Sequence, residues 1–253
     1  MGTLLKMQHS VSEAEWAARV ELAALYRIVD RLGMTDVIYN HITVKVPGED
    51  SQFLINPLGF HYSEVTASNL VKIDLDGTIL ASAAGSKVNR PGFVIHSAIH
   101  AARHDISCIA HTHTVAGLAV ASMECGLLPL NQNALRFTGD IAYHDYEGPV
   151  LHSEEQERIV ANLGKKNVLI LRNHGLLVCG KGIAEAYLNL WCLEVACRMQ
   201  VAALSCGQPL TKPNENALAA SEAAYRALRK RSAALEWAAE KRLLDRECSD
   251  YRN

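Results

Sequence analysis

The sequence predicts an α/β domain in which helices flank a mainly antiparallel or mixed sheet. Three observations carry that reading. Short runs rich in β-branched and apolar residues are bounded by turn signals. Longer segments between and after them carry helical periodicity and caps. No internal repeat, low-complexity tract or long linker divides the 253 residues, a length that suits one large domain.

The first helix covers "SEAEWAARVELAALYRIVDRLG" (12–33). Ser12 and Glu15 stand at capping-box spacing, Gly33 can close the helix, and Trp16, Val20, Ala24 and Ile28 form an apolar stripe. Strand-like pieces follow at "HITVKV" (41–46), "FLIN" (53–56) and "LVKIDLDGTIL" (70–80), the last with the hairpin signal Asp76-Gly77. A second helix fits "GFVIHSAIHAARHD" (92–105) and leads into the apolar strand "CIAHTHTVAG" (108–117). A third, "VAGLAVASMECG", closes at Gly126. Beyond Pro129, "EEQERIVANLG" (154–164) reads as a helix, and "NVLILRNHGLLVCGKG" (167–182) as two strands about a turn at His174-Gly175. The remainder is helical over 183–207, breaks at Pro213, and resumes as a charged helix from about Glu215 to Cys248.

Composition excludes several function classes. Hydrophobic residues make up 49% and charged residues 21%, as in ordinary soluble globular proteins, and the net charge of -2 offers no bulk attraction to nucleic acid or anionic membrane. A small-molecule substrate is the expected partner. The seven cysteines are odd in number, scattered, and never in C-x-x-C spacing, which fits reduced thiols in the cytoplasm. The start "MGTLLKMQHS" lacks the pattern of a secretory signal, and Lys6 stands where myristoylation wants Ser or Thr. Glu194 and Arg198 interrupt the most apolar run, so no membrane span is expected.

Chemistry enters with His111 and His113. In a strand, alternate side chains share a face, so the two imidazoles project together while Ala110, Thr112 and Thr114 point the other way. Spacing alone leaves two readings open, a shared divalent metal or two hydrogen-bonded core residues. His174 repeats the context at the end of an apolar strand. Three neutral imidazoles with one open position would make a catalytic metal site, whereas the plainer reading has His174 capping its turn.

The blocks "YNHIT", "YSEVTASNLVKID", "HSAIHAAR", "HTHTVAG", "CGLLP", "AYHDYEG" and "LILRNHGLLV", in that order, resemble the class II aldolase/adducin family, several of them its adducin branch. The resemblance runs from about residue 20 to 205. It implies a three-layer α/β/α sandwich, with a domain over 12–207 and a helical extension of the same domain over 208–253. It further implies a cyclic homotetramer with active sites between adjacent subunits. In the aldolases and epimerases a zinc-type ion is held by the H-x-H pair and a later histidine, positions that match His111, His113 and His174. Zn is the expected ion, with Mn or Fe as alternatives. A Lewis acid there stabilises the charge left on oxygen when a carbon–carbon bond beside a carbonyl breaks.

The sequence also departs from the aldolases. Their catalytic glutamate matches position 92, where this chain has Gly92. His96 and His100 follow on the same face of that helix, which makes His96 a candidate for the vacated space, against a reading in which both simply pack beneath the helix. The aldolases' phosphate-binding pairs match Tyr39-Asn40, Leu58-Gly59 and Arg90-Pro91, so Asn40 and Gly59 remain while the hydroxyl donors are replaced. Arg90 supplies a planar charged fork suited to a carboxylate, and stands as a third substrate-binding candidate. The function expected is a divalent-metal-dependent lyase on a small oxygenated, preferably carboxylate-bearing substrate, by aldol-type cleavage or decarboxylation. The alternatives are a non-catalytic scaffold like the adducin head, disfavoured by the absence of a long basic tail, and a non-haem iron oxygenase on the same fold.

Overall fold

The computed structural model of the protein describes residues 7–83, 85–148 and 153–253, apart from the side chains of residues 90, 91, 153, 226 and 228–232. Eight strands form one sheet among the described residues. They are β1 (His41–Lys45), β2 (Gln52–Ile55), β3 (Val71–Asp74), β4 (Ile79–Ala81), β5 (Cys108–Thr112), β6 (Ile141–His144), β7 (Val168–Leu171) and β8 (Gly175–Gly180). Their spatial order is β4-β3-β2-β1-β5-β8-β7-β6. Every neighbouring pair is antiparallel except β6 and β7, so the sheet is mixed, as expected.

The central strands are buried on both faces, and their alternation sorts residues into two cores. Cys108 and Ala110 of β5, with Leu176 and Val178 of β8, face one helical layer. That layer holds α1 (Glu13–Arg31), α3 (Val115–Ala121), α6 (Ile183–Ser205) and α7 (Glu215–Glu247). Ile109, Leu177 and Cys179 face the other layer, where α2 (Arg90–Ala102) and α5 (Ser153–Leu163) contribute Ile95, Ile99 and Ile159. Strands sandwiched in this way read as continuous apolar runs, which explains the character of "CIA" and "VLIL". The result is the α/β/α sandwich. His111 belongs to the face covered by α2.

Several boundaries follow their local signals. Ser12 Oγ accepts from the Glu15 amide at the start of α1, and Gly33, just past its end, takes φ +67°. The Asp76-Gly77 turn closes the β3–β4 hairpin with Gly77 at φ +81°. Other features were not in the sequence pattern. Strand β6 is four residues long and is fixed by its parallel pairing to β7, a tertiary contact. The single-turn helix α4 (Gln132–Leu135) is likewise short, capped by the Asn131 side chain.

The first helix also corrects the expected stripe. Ala24 and Ile28 are fully buried, but Trp16 and Val20 are only partly covered. Their places in the interface are taken by Glu15 and Arg19, an ion pair at 2.9 Å that is joined by Lys72 at 2.8 Å. Arg19 Nη1 also donates to the Leu70 carbonyl at 2.8 Å, so burial of the guanidinium is matched by partners. At the other end of the chain, Trp237 of α7 is buried against Tyr187 and donates to Glu21 Oε2 at 2.6 Å, while Leu235 stays exposed. Leu243 is partly covered, and the side chain of Leu228 lies outside the described residues, as does the amino-terminal stretch through Lys6. Among the described residues no helix is long and apolar enough to cross a membrane.

Candidate metal centre

The end of β5 and the start of β8 converge at three histidines. His111 is the fourth residue of β5, His113 follows the strand, and His174 closes the turn between β7 and β8. That turn places Asn173 at φ 55°, a left-handed conformation that Asn tolerates better than most residues. Gly175 is required by close approach. A Cβ there would stand 2.5 Å from the Thr112 carbonyl oxygen, 2.9 Å from His113 Cδ2 and 3.2 Å from His111 Cε1. The three ring centroids are 4.5, 4.9 and 5.1 Å apart, and one nitrogen from each lies within 4.8 Å of the others.

Hydrogen bonding orients the first two rings. His111 Nδ1 is 2.9 Å from the Leu176 carbonyl oxygen, which can only accept, so Nδ1 carries the hydrogen and Nε2 the lone pair. His113 Nδ1 donates to the Asp36 carboxylate at 3.0 Å, which turns its Nε2 toward His111. Those two Nε2 atoms are 2.7 Å apart. That is a hydrogen-bond separation, spanned by one proton between the two nitrogens, whereas two nitrogens on one tetrahedral zinc would stand roughly 3.3 Å apart, so the rings part slightly to take an ion. The convergence of His174 on the same point favours the metal. Burial, reinforced by the neighbouring imidazoles, holds His111 far below the usual histidine range, and burial pushes His174 down to about 4. Both are therefore neutral donors at pH 7. The residues present fit a divalent cation of zinc type.

The other predicted residues fall in different places. Asn40 is buried, and its Oδ1 accepts from the Asp36 amide at 2.5 Å while Nδ2 reaches the His111 carbonyl oxygen at 3.5 Å. It thus ties the loop carrying Asp36 to the strand carrying His111. Gly59 lies in an exposed turn at φ +91° with open space around it. Arg90 is the first residue of α2, and its side chain is outside the described residues. His96 is fully buried. Its Nδ1 pairs with Thr43 Oγ1 at 2.8 Å, and the same hydroxyl meets His100 Nε2 at 2.8 Å. His96 does not occupy the space beside Gly92. That space holds His41, which the motif reading passed over inside "YNHIT". Asp36 was also missed, because a carboxylate 77 positions from its imidazole leaves no trace in local spacing.

Residues 20–201 match the family described as the class II aldolase and adducin N-terminal domain. This chain belongs to that family. Mouse alpha-adducin is 50% identical over 200 residues, which are 78% of this chain and 27% of that adducin, so the chain spans about a quarter of its length. A crystal structure of an aldolase II superfamily protein from Pseudomonas syringae aligns with a TM-score of 0.95 at 47% identity, covering 98% of this chain and 100% of the other. An L-fuculose 1-phosphate aldolase from Glaciozyma antarctica aligns with a TM-score of 0.82 at 28% identity, covering 95% and 93%. The class II aldolase fold therefore accounts for nearly the whole described chain, α7 included.

Proposed function

We propose that the protein is a divalent-metal-dependent lyase that cleaves a carbon–carbon bond in a small oxygenated substrate, with zinc as the ion. The observation that carries this reading is the convergence of one ring nitrogen from each of His111, His113 and His174 to within 4.8 Å of one another. His111, His113 and His174 would hold the ion, leaving a position for substrate, as catalytic sites require. When bound, it would supply Lewis acidity at the oxygen where charge develops. The Leu176 carbonyl and Asp36 keep the first two rings in the ligand tautomer. Arg90, at the amino terminus of α2 beside Gly92, is our candidate for the substrate's anionic group, a role its bidentate fork suits for a carboxylate. Asn40 acts in this scheme by positioning Asp36 and His111, and Gly59 by shaping an exposed turn. The seven free cysteines favour a reducing compartment, the cytoplasm.

Metal analysis of protein purified without added metal tests the reading. His111→Ala, His113→Ala and His174→Ala should each lose most of the ion while far-ultraviolet circular dichroism stays near wild type, because the apolar strands carry the core. Full stoichiometric metal in His111→Ala would refute the assignment. A panel of sugar phosphates, hydroxy acids and keto acids, assayed on wild type and Arg90→Ala, then tests the substrate class. Turnover of a sugar phosphate that Arg90→Ala leaves unchanged would return the protein to the sugar-phosphate aldolases. The kinship with alpha-adducin keeps a second reading, a binding module, which a wild-type protein without metal would favour. Bound iron would instead favour an oxygenase.

A further inference from the structure

Among the described residues, His41 is an imidazole beside the cluster with no hydrogen-bond partner of its own. It is 4% exposed, and neither ring nitrogen makes a hydrogen bond. Buried polar atoms without partners are uncommon and point to a group not yet accounted for. Strand register puts His41 directly opposite His111, so both side chains project from the same face, with ring centroids 5.2 Å apart. On its other side the ring packs on His96 at 4.3 Å with planes 48° apart, a tilted ring contact and not a hydrogen bond. The Tyr39 carbonyl lies near the ring but outside hydrogen-bond geometry. An imidazole in either protonation state carries at least one N–H to donate.

The ring also explains Gly92. A Cβ at position 92 would stand 2.7 Å from His41 Nδ1, 2.8 Å from Cε1 and 3.0 Å from Cγ. Any side chain at 92 therefore has to leave the helix through the space the His41 ring fills. The carboxylate of the aldolases and the imidazole of this chain exclude one another. The edge nearest Gly92 is Nδ1–Cε1, which leaves Nε2 and Cδ2 on the edge turned away from the helix. His41 is not among the three residues whose nitrogens converge within 4.8 Å, so it borders that cluster and is no member of it.

We propose that His41 is a substrate-binding residue of the metal centre, donating its N–H to an anionic oxygen held beside the His111, His113 and His174 cluster. This rests on the metal-centred reading above and deepens it. A carboxylate at position 92 could only accept hydrogen bonds, whereas the imidazole that replaces it can donate. The exchange reverses the polarity of that wall of the site. An oxygen carrying negative charge, such as that of a hydroxy acid's carboxylate, gains there, and a neutral hydroxyl loses.

The test uses cobalt-loaded full-length protein, with glycolate as the probe and the visible cobalt spectrum as the readout. His41→Leu fills the ring's space without a donor, and His41→Gln restores an amide donor. His41→Leu should keep its cobalt but bind glycolate about tenfold or more weakly, the scale of a hydrogen bond to a charged group. His41→Gln should recover most of that loss. Glycolate binding in His41→Leu as tight as wild type would overturn the proposal. So would loss of cobalt from both variants, which would make His41 a ligand of the ion and not of the substrate. Wild-type protein that holds no cobalt would fail the metal-centred reading itself, an outcome separate from these.

Discussion

At the scale of residues, the site separates what spacing can reveal from what it cannot. His111 and His113 were legible because strand alternation is a local rule, and His174 because a turn signal marks where its side chain emerges. Asp36 and His41 take part through proximity created by the fold, one from a loop and one from the facing strand. The fully buried His100 gives a prediction of its own. Burial, with the nearby Lys45 charge, pushes it down to about 3, against about 6.5 in the unfolded chain. Its contribution to stability is complete above pH 6.5. Below that, the unfolded chain takes up a proton that the folded protein refuses until about pH 3, so stability falls with pH across this window. The slope approaches about 1.4 kcal/mol per pH unit for such a group. His96, depressed for the same reason, adds in the same direction. Urea midpoints measured between pH 7.5 and 5 on metal-free protein should fall steeply for wild type and less steeply for His100→Gln, which retains a partner for Thr43 but no titration. Equal slopes would contradict this account.

At the scale of elements, long periodic helices and capped turns were readable, and short elements defined by their neighbours were not. The capping of α1 by Ser12 follows local chemistry, while β6 exists because β7 offers it an edge. The polar start of the α1 interface shows a further limit. Glu15 and Arg19 lie outside the apolar stripe of the sequence, yet Lys72 and the Leu70 carbonyl, both on distant segments, make their burial acceptable. The junction of β7, β8 and β5 is the element-scale feature on which the site depends. Gly175→Ala drives a Cβ to within 2.5 Å of the Thr112 carbonyl oxygen, a backbone atom with little room to yield. The strands must part, carrying His111 and His113 with them. The expected result is destabilisation of about 2 kcal/mol or more together with reduced metal content. Urea denaturation and metal analysis of the same preparation check both, and a wild-type outcome in both would mean that the junction is looser than these contacts imply.

At the scale of the whole molecule, the class II aldolase/adducin resemblance carried the layer order, and the assembly is where the chain's surface has most to add. Trp237 of the last helix finds its cover on Tyr187 within the same chain. Leu235 of that helix stays exposed, and further bare apolar surface lies around the histidines. Val115, two residues after His113, is 87% exposed, and Val37 and Tyr39, on the loop that carries Asp36, are 64% and 60% exposed. Tyr146, whose ring is 6.4 Å from His174, is 56% exposed. Apolar side chains gathered at the rim of a polar site suit contact with a second copy of the chain. We expect a cyclic homotetramer in which an adjacent subunit covers this rim and helps to enclose the site. Sedimentation equilibrium at micromolar concentration should give a mass about four times 27.7 kDa. Val115→Glu places a charge in the contact without touching the three histidines. It should shift the population towards smaller species and lower turnover, while the dissociated subunits still bind metal. A wild-type protein that sediments as a monomer would remove both the assembly and the shared site.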